Sequence, residues 1–132
     1  MKTHRLTIED IQVNVSICGQ GSPLLLLNGL GGLIRTFDAL RDGLADYTTI
    51  TLDVPGVGDS QMPHWPMRLP RHADLIAEML KQLGFDQVDV FGVSWGGARA
   101  RIRPALPEHG TPFDPRGYVS RPSRAGKACR HP

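Results

Sequence analysis

A chain of 132 residues, 40% hydrophobic and 21% charged, can close one small core and is too short for two, so a single globular unit is the ceiling. Its longest aliphatic run, Leu24–Leu27, falls far below the roughly 20 apolar residues that a bilayer-crossing helix needs. Thr7, Glu9, Asp10 and Gln12 stand where a secretory signal would need its apolar stretch, so export is not expected and a cytoplasmic location is.

The formal charge of +2 hides an uneven split, with seven Lys/Arg against eleven Asp/Glu in residues 1–98 and eight against two in 99–132. The basic segment has no aromatic interleaving beyond Phe113 and Tyr118 and is scattered with prolines, so no nucleic-acid partner is expected. Cys18 and Cys129 lack metal-type spacing and read as free thiols of a reducing compartment.

In chain order, Leu6–Ile8 and the alternation Ile11, Val13, Val15, Ile17 predict two antiparallel strands with one wet face. Gly19–Pro23 forces a turn. Leu24–Leu27, bounded by Pro23 and Asn28-Gly29, suits a strand buried on both faces of a parallel sheet. After a glycine-rich loop, Phe37, Leu40 and Leu44 fall at helical spacing, with Asp38, Arg41 and Asp42 around the other side. That predicts a helix over about 35–45 with Leu40 inward and Arg41 outward.

Thr48–Leu52 is β-branched and apolar, and Asp53–Ser60, with its proline and two glycines, ends it as a loop. Pro70 opens a helix whose apolar stripe is Ala73, Ile76, Met79, Leu80 and Leu83, and Gly84 is placed to end it. Val88–Phe91 is a third short buried strand. Strand, helix, strand, helix, strand is the pattern of a doubly wound α/β domain.

Gly92-Val93-Ser94-Trp95-Gly96 follows that last strand at once and matches G-x-S-x-G. In this context the motif is a nucleophile elbow, a turn so tight that glycines stand where side chains would collide, leaving the serine at the strand's carboxyl end facing solvent. A dinucleotide site fails on spacing. Counting from Gly29 the third glycine of G-x-G-x-x-G would fall at Ile34, and counting from Gly56 at Gln61. The histidines, His4, His64, His72, His109 and His131, read as surface residues, and His64-Trp65 as a solvent-facing loop.

Leu27-Asn28-Gly29-Leu30-Gly31, Asp53–Ser60 and Gly92–Ala98 together resemble the intracellular poly(3-hydroxyalkanoate) depolymerases, which are α/β-hydrolases. The resemblance covers about residues 24–98. It implies a doubly wound α/β-hydrolase sheet and ester hydrolysis in a storage polyester through an acyl-enzyme on Ser94. The backbone N–H groups of Leu30 and Trp95 would form the oxyanion hole, and Asp53–Ser60 would be a structural loop. No cofactor or metal is implied. The expected partners are the ester substrate and the surface of a polyester granule, with oligomeric state open. The alternatives are another α/β-hydrolase, acting on small esters or carbon–carbon bonds, and a non-catalytic remnant or polymer-surface binder.

In this superfamily an Asp or Glu and then a His follow the serine on later strands. After Ala98 the expected helix meets Pro104 and Pro107, each costing ~3 kcal/mol in a helix interior. From Glu108 the chain has no apolar periodicity. Residues 1–98 are therefore expected to be the N-terminal half of the hydrolase domain, truncated after the elbow. Residues 99–132 are expected to be an unrelated, disordered Arg/Pro-rich tail whose abrupt start suggests a shifted reading frame. His109 with Asp114 or Glu108 is not expected to replace the missing pair, and the chain alone is expected to be inactive.

Overall fold

The computed structural model describes residues 2–29, 31–94 and 96. The tail expected over 99–132, and Leu30 and Trp95, lie outside the described residues. Among the described residues five strands form one sheet: β1 (Lys2–Ile8), β2 (Ile11–Cys18), β3 (Ser22–Leu27), β4 (Tyr47–Leu52) and β5 (Asp89–Gly92), in the order β1-β2-β4-β3-β5. β1 and β2 form an antiparallel hairpin with Ile8 opposite Ile11, and β2 runs antiparallel to β4. β3 lies parallel to β4 on one side and to β5 on the other. Leu24–Leu27 thus supplies the central parallel strand, and all four leucines are buried.

Alternation of side chains divides these leucines between two faces. Leu25 and Leu27 join Val13, Val15, Ile50 and Leu52 beneath α2 (Leu69–Gln82), which buries Leu75, Ile76, Met79 and Leu80. The apolar stripe predicted for this helix is its packed face, and Gly84 takes up the left-handed backbone just past its end (φ +81). Leu24 and Leu26 point the other way, towards Phe37 and Phe91, whose rings meet edge to face at 6.4 Å. Among the described residues no helix is long and apolar enough to cross a membrane.

The first helical segment departs from its sequence pattern. A 3-10 turn (Ile34–Phe37) leads into a short α1 (Asp38–Asp42), and Gly43 caps it. Leu40, expected inward, is 40% exposed, while Arg41, expected outward, is 1% exposed. The buried stripe runs Ile34, Phe37, Arg41, with Leu44 partly buried against it. The reason lies in the sheet below, where β2 and β4 present Ser16 and Thr49. Arg41 Nη1 donates to Ser16 Oγ (2.9 Å) and Nη2 to the carbonyls of Ser16 (2.9 Å) and Thr49 (3.4 Å). A leucine would leave those acceptors unsatisfied. Burial pulls the Arg41 guanidinium below its ordinary pKa, and neighbouring Asp38 pushes it back up. Cys129, read with Cys18 as a free thiol, lies outside the described residues.

Candidate active site at the carboxyl ends of β3 and β5

β3 and β5 are parallel neighbours with Leu27 opposite Gly92, so the segments leaving them, Asn28-Gly29 and Val93-Ser94, emerge side by side. Val93 N donates to Leu27 O (3.0 Å), extending the ladder by one bond. At Ser94 the backbone turns into the left-handed region (φ +54) and Gly96 N donates back to Val93 O (2.9 Å). A non-glycine residue adopts this conformation at a cost of about 1–2 kcal/mol, and such strain gathers at functional turns. Ser94 is exposed and Gly96 buried. A Cβ at Gly96 would stand 2.0 Å from Leu27 O, so the returning chain crosses β3 at a distance only glycine permits.

Gly29 faces the serine. A Cβ built there would lie 3.5 Å from Ser94 Cβ, 3.5 Å from Val93 O and 3.9 Å from Ser94 Oγ. These are ordinary contact distances, so alanine fits without strain but occupies the space beside the hydroxyl. Gly29→Ala is therefore expected to leave the melting temperature within about 2 °C and slow covalent labelling of Ser94 by a bulky acyl or phosphonyl probe at least tenfold. Equal labelling of both proteins, read by intact mass, would show that nothing approaches Ser94 from that side.

Behind these turns lies a buried polar centre at Asp53, which follows β4. Its Oδ1 accepts from Ile34 N (2.8 Å), and its Oδ2 accepts from Asn14 Nδ2 (3.0 Å) and Asp59 N (3.1 Å). Its main chain is held as well. Asp53 N donates to Asn14 O (2.9 Å), and Ser60 Oγ donates to Asp53 O (2.5 Å) while accepting from Asn14 N (2.9 Å). Asp53 is 4% exposed, and three N–H groups hold its carboxylate. Asp53→Ala is expected to cost about 3–5 kcal/mol, because three N–H donors lose their acceptor in a buried site. A urea midpoint implying a loss under about 1 kcal/mol would contradict that.

The described histidines sit on the far side of the sheet. His4 is on β1, four strand positions from β5, or roughly 19 Å at about 4.8 Å per position. The loop carrying His64 is tied to β2 where Gln61 N donates to Gln12 O (2.8 Å). His64 and Trp65 there line an open cleft of about 240 Å³ against Asp10 and Ile11. Both are exposed, Trp65 by 81%, as expected for a solvent-facing loop. His72 heads α2, where neighbouring Arg71 pairs with Glu9 at the β1–β2 turn. A base for Ser94 therefore has to come from outside the described residues.

Sequence reading located Ser94 and the Asn28–Gly32 loop. It missed Asn14 as a partner of Asp53, because 39 residues separate the two and no local pattern marks the pair.

A profile of the alpha/beta hydrolase fold matches residues 22–106. Over 81 residues the chain is 46% identical to a poly(3-hydroxyalkanoate) depolymerase of Ectopseudomonas oleovorans, covering 61% of this chain and 29% of that protein. It is 32% identical over 98 residues to a soluble epoxide hydrolase of Corynebacterium sp. (strain C12), covering 74% and 34%. The solved epoxide hydrolase CorEH superposes with a TM-score of 0.73 at 30% identity, over 76% of this chain and 36% of that one. The N-acyl homoserine lactonase AidH gives 0.70 at 29% identity, over 76% and 39%. The chain spans about a third of the length of the curated relatives it matches.

Proposed function

Because this chain belongs to the α/β-hydrolase fold family, we propose that it is the nucleophile-bearing part of a serine esterase that cleaves poly(3-hydroxyalkanoate), forming an acyl-enzyme on Ser94. The observation that carries this reading is the exposed Ser94 on a left-handed turn, with the backbone of Gly29 beside its side chain. Ser94 Oγ attacks the acyl carbonyl carbon as its proton passes to a base. The N–H groups of Leu30 and Trp95 hold the resulting oxyanion. Collapse expels the alcohol end of the polyester and leaves the acyl group on Ser94, from which water releases the hydroxy acid. The base and its carboxylate partner lie outside the described residues.

The epoxide hydrolases among the relatives raise a second chemistry, which Ser94 disfavours. A serine oxygen that opened an epoxide would be left as an ether, which water does not cleave, so the enzyme could not turn over. A serine ester, by contrast, is hydrolysed readily. The 46% identity to a polyester depolymerase supports the substrate class. This reading puts the protein in the cytoplasm, at the surface of a storage granule.

The test exposes the 132-residue chain to a fluorophosphonate and, separately, to styrene oxide. A single phosphonyl adduct on Ser94, located by tandem mass spectrometry, with no epoxide consumed, is expected. Opening of the epoxide, or a folded chain that takes no adduct at Ser94, would overturn the proposal.

A further inference from the structure

The loop that leaves β3 carries Gly29, Gly31 and Gly32, and glycines give a backbone the most freedom to lose. A loop of this composition keeps one shape only if something outside its own backbone holds it. Two side chains do so, one from each end. Asn28, 3% exposed, sends Nδ2 across the loop to Leu33 O (2.7 Å), closing residues 28–33 into a ring. Its Cβ and Cγ fill the space beside Gly32, where an added Cβ would stand 2.5–2.6 Å from them.

The next residue, Ile34, donates its N–H to Asp53 Oδ1 (2.8 Å), and Asp53 is fastened to β2 through Asn14. Leu33 N donates to Thr36 Oγ1 (3.2 Å) and Gly32 N to Gly29 O (3.3 Å). The middle is left open, because Gly31 is exposed and a Cβ there would meet nothing within 4 Å. The loop is thus pinned at both ends, with Gly29 against Ser94 and Gly31 exposed.

We infer that Asn28 and Asp53 are positioning residues that hold the Gly29–Gly32 loop at a set distance from the Ser94 hydroxyl, and so set the rate at which an acyl or phosphonyl group is stabilised there. The inference rests on the reading of Ser94 as the nucleophile. Neither residue has to touch substrate. Asn28 acts through Leu33 O, and Asp53 acts through Ile34 N. A clamp of this kind makes a glycine-rich segment behave as a preorganised donor without giving up the close approach that its glycines allow.

The test uses Asn28→Leu, which keeps the volume and removes the donor, with Asp53→Asn as the second variant should the first fail to fold. Leu75→Ala, a core change under α2, serves as a destabilised control. Amide hydrogen exchange of the peptide spanning 29–34 and the second-order rate of fluorophosphonate addition to Ser94 are measured on each folded protein. Exchange in that peptide should rise at least tenfold in Asn28→Leu and phosphonylation should slow at least tenfold. The control should keep the wild-type rate within twofold despite its lower melting temperature. Unchanged exchange, an unchanged labelling rate, or an equal slowing in the control would overturn the inference. If the wild-type chain takes no adduct on Ser94, the nucleophile reading fails by itself, and the exchange of 29–34 still decides whether the clamp exists.

Discussion

Replacing Ser94 with glycine is expected to raise stability and abolish reactivity at once. The residue holds φ at +54, where an L side chain crowds the following carbonyl at a cost of about 1–2 kcal/mol. Glycine removes that crowding and loses part of the gain to the larger entropy of its unfolded chain, so the net is about 1 kcal/mol. For a unit of this size that is a rise of roughly 4–8 °C in melting temperature. The same change removes the hydroxyl, so the fluorophosphonate adduct should vanish from the intact-mass spectrum. A melting temperature that stays level or falls would mean the left-handed turn is not strained. An adduct that persists would move the nucleophile elsewhere.

Gly96→Ala is expected to do the reverse and weaken the whole β3–β5 end of the sheet. The new methyl would stand 2.0 Å from Leu27 O, 2.6 Å from Leu27 C and 2.9 Å from Asn28 O. All three are backbone atoms, of the last residue of β3 and the residue that follows it, so no side chain can swing aside. Either the returning chain lifts away by more than an ångström or β3 shifts, and β3 is held on both sides by β4 and β5. Overpacking without an escape route costs about 3 kcal/mol or more. Chemical denaturation measures the loss, and labelling of Ser94 should drop in whatever fraction stays folded, because the elbow moves with Gly96. Stability within about 1 kcal/mol of the parent would show that the close approach to Leu27 O relaxes freely.

These two residues also show what a linear reading can carry. Gly92, Ser94 and Gly96 directly after an apolar strand announce a tight turn, since the motif spans five residues, although the atom that bars a side chain at Gly96, Leu27 O, belongs to a distant strand. The strands were legible for a related reason, except that β5, expected to be buried, is an edge strand among the described residues, with Asp89 exposed and Val90 to Gly92 half-buried. Leu24–Leu27 is wholly apolar because both faces of the central strand are covered, and β2 alternates more than β3 because of its place towards the edge. In α2, Ala73, Ile76, Met79 and Leu80 repeat at helical spacing because one face meets one apolar surface.

Arg41 and Leu40 break that logic. Periodicity assumes that the buried side is apolar, but the sheet beneath α1 offers Ser16 and Thr49, so hydrogen bonding chose the arginine and left the leucine 40% exposed. The sequence by itself determined the order and kind of the elements, the parallel centre of the sheet and the turn at Ser94, because each follows from local sterics or from one-sided burial. Only the tertiary structure decided which way α1 faces, that Gly29 lies beside Ser94, and that Asn14, Ile34, Asp53 and Asp59 meet in one buried centre. Those choices depend on which polar groups meet when distant strands pair, and partners such as Ile34 with Asp53 or Asn14 with Asp53, 19 and 39 residues apart, leave no mark on either segment alone.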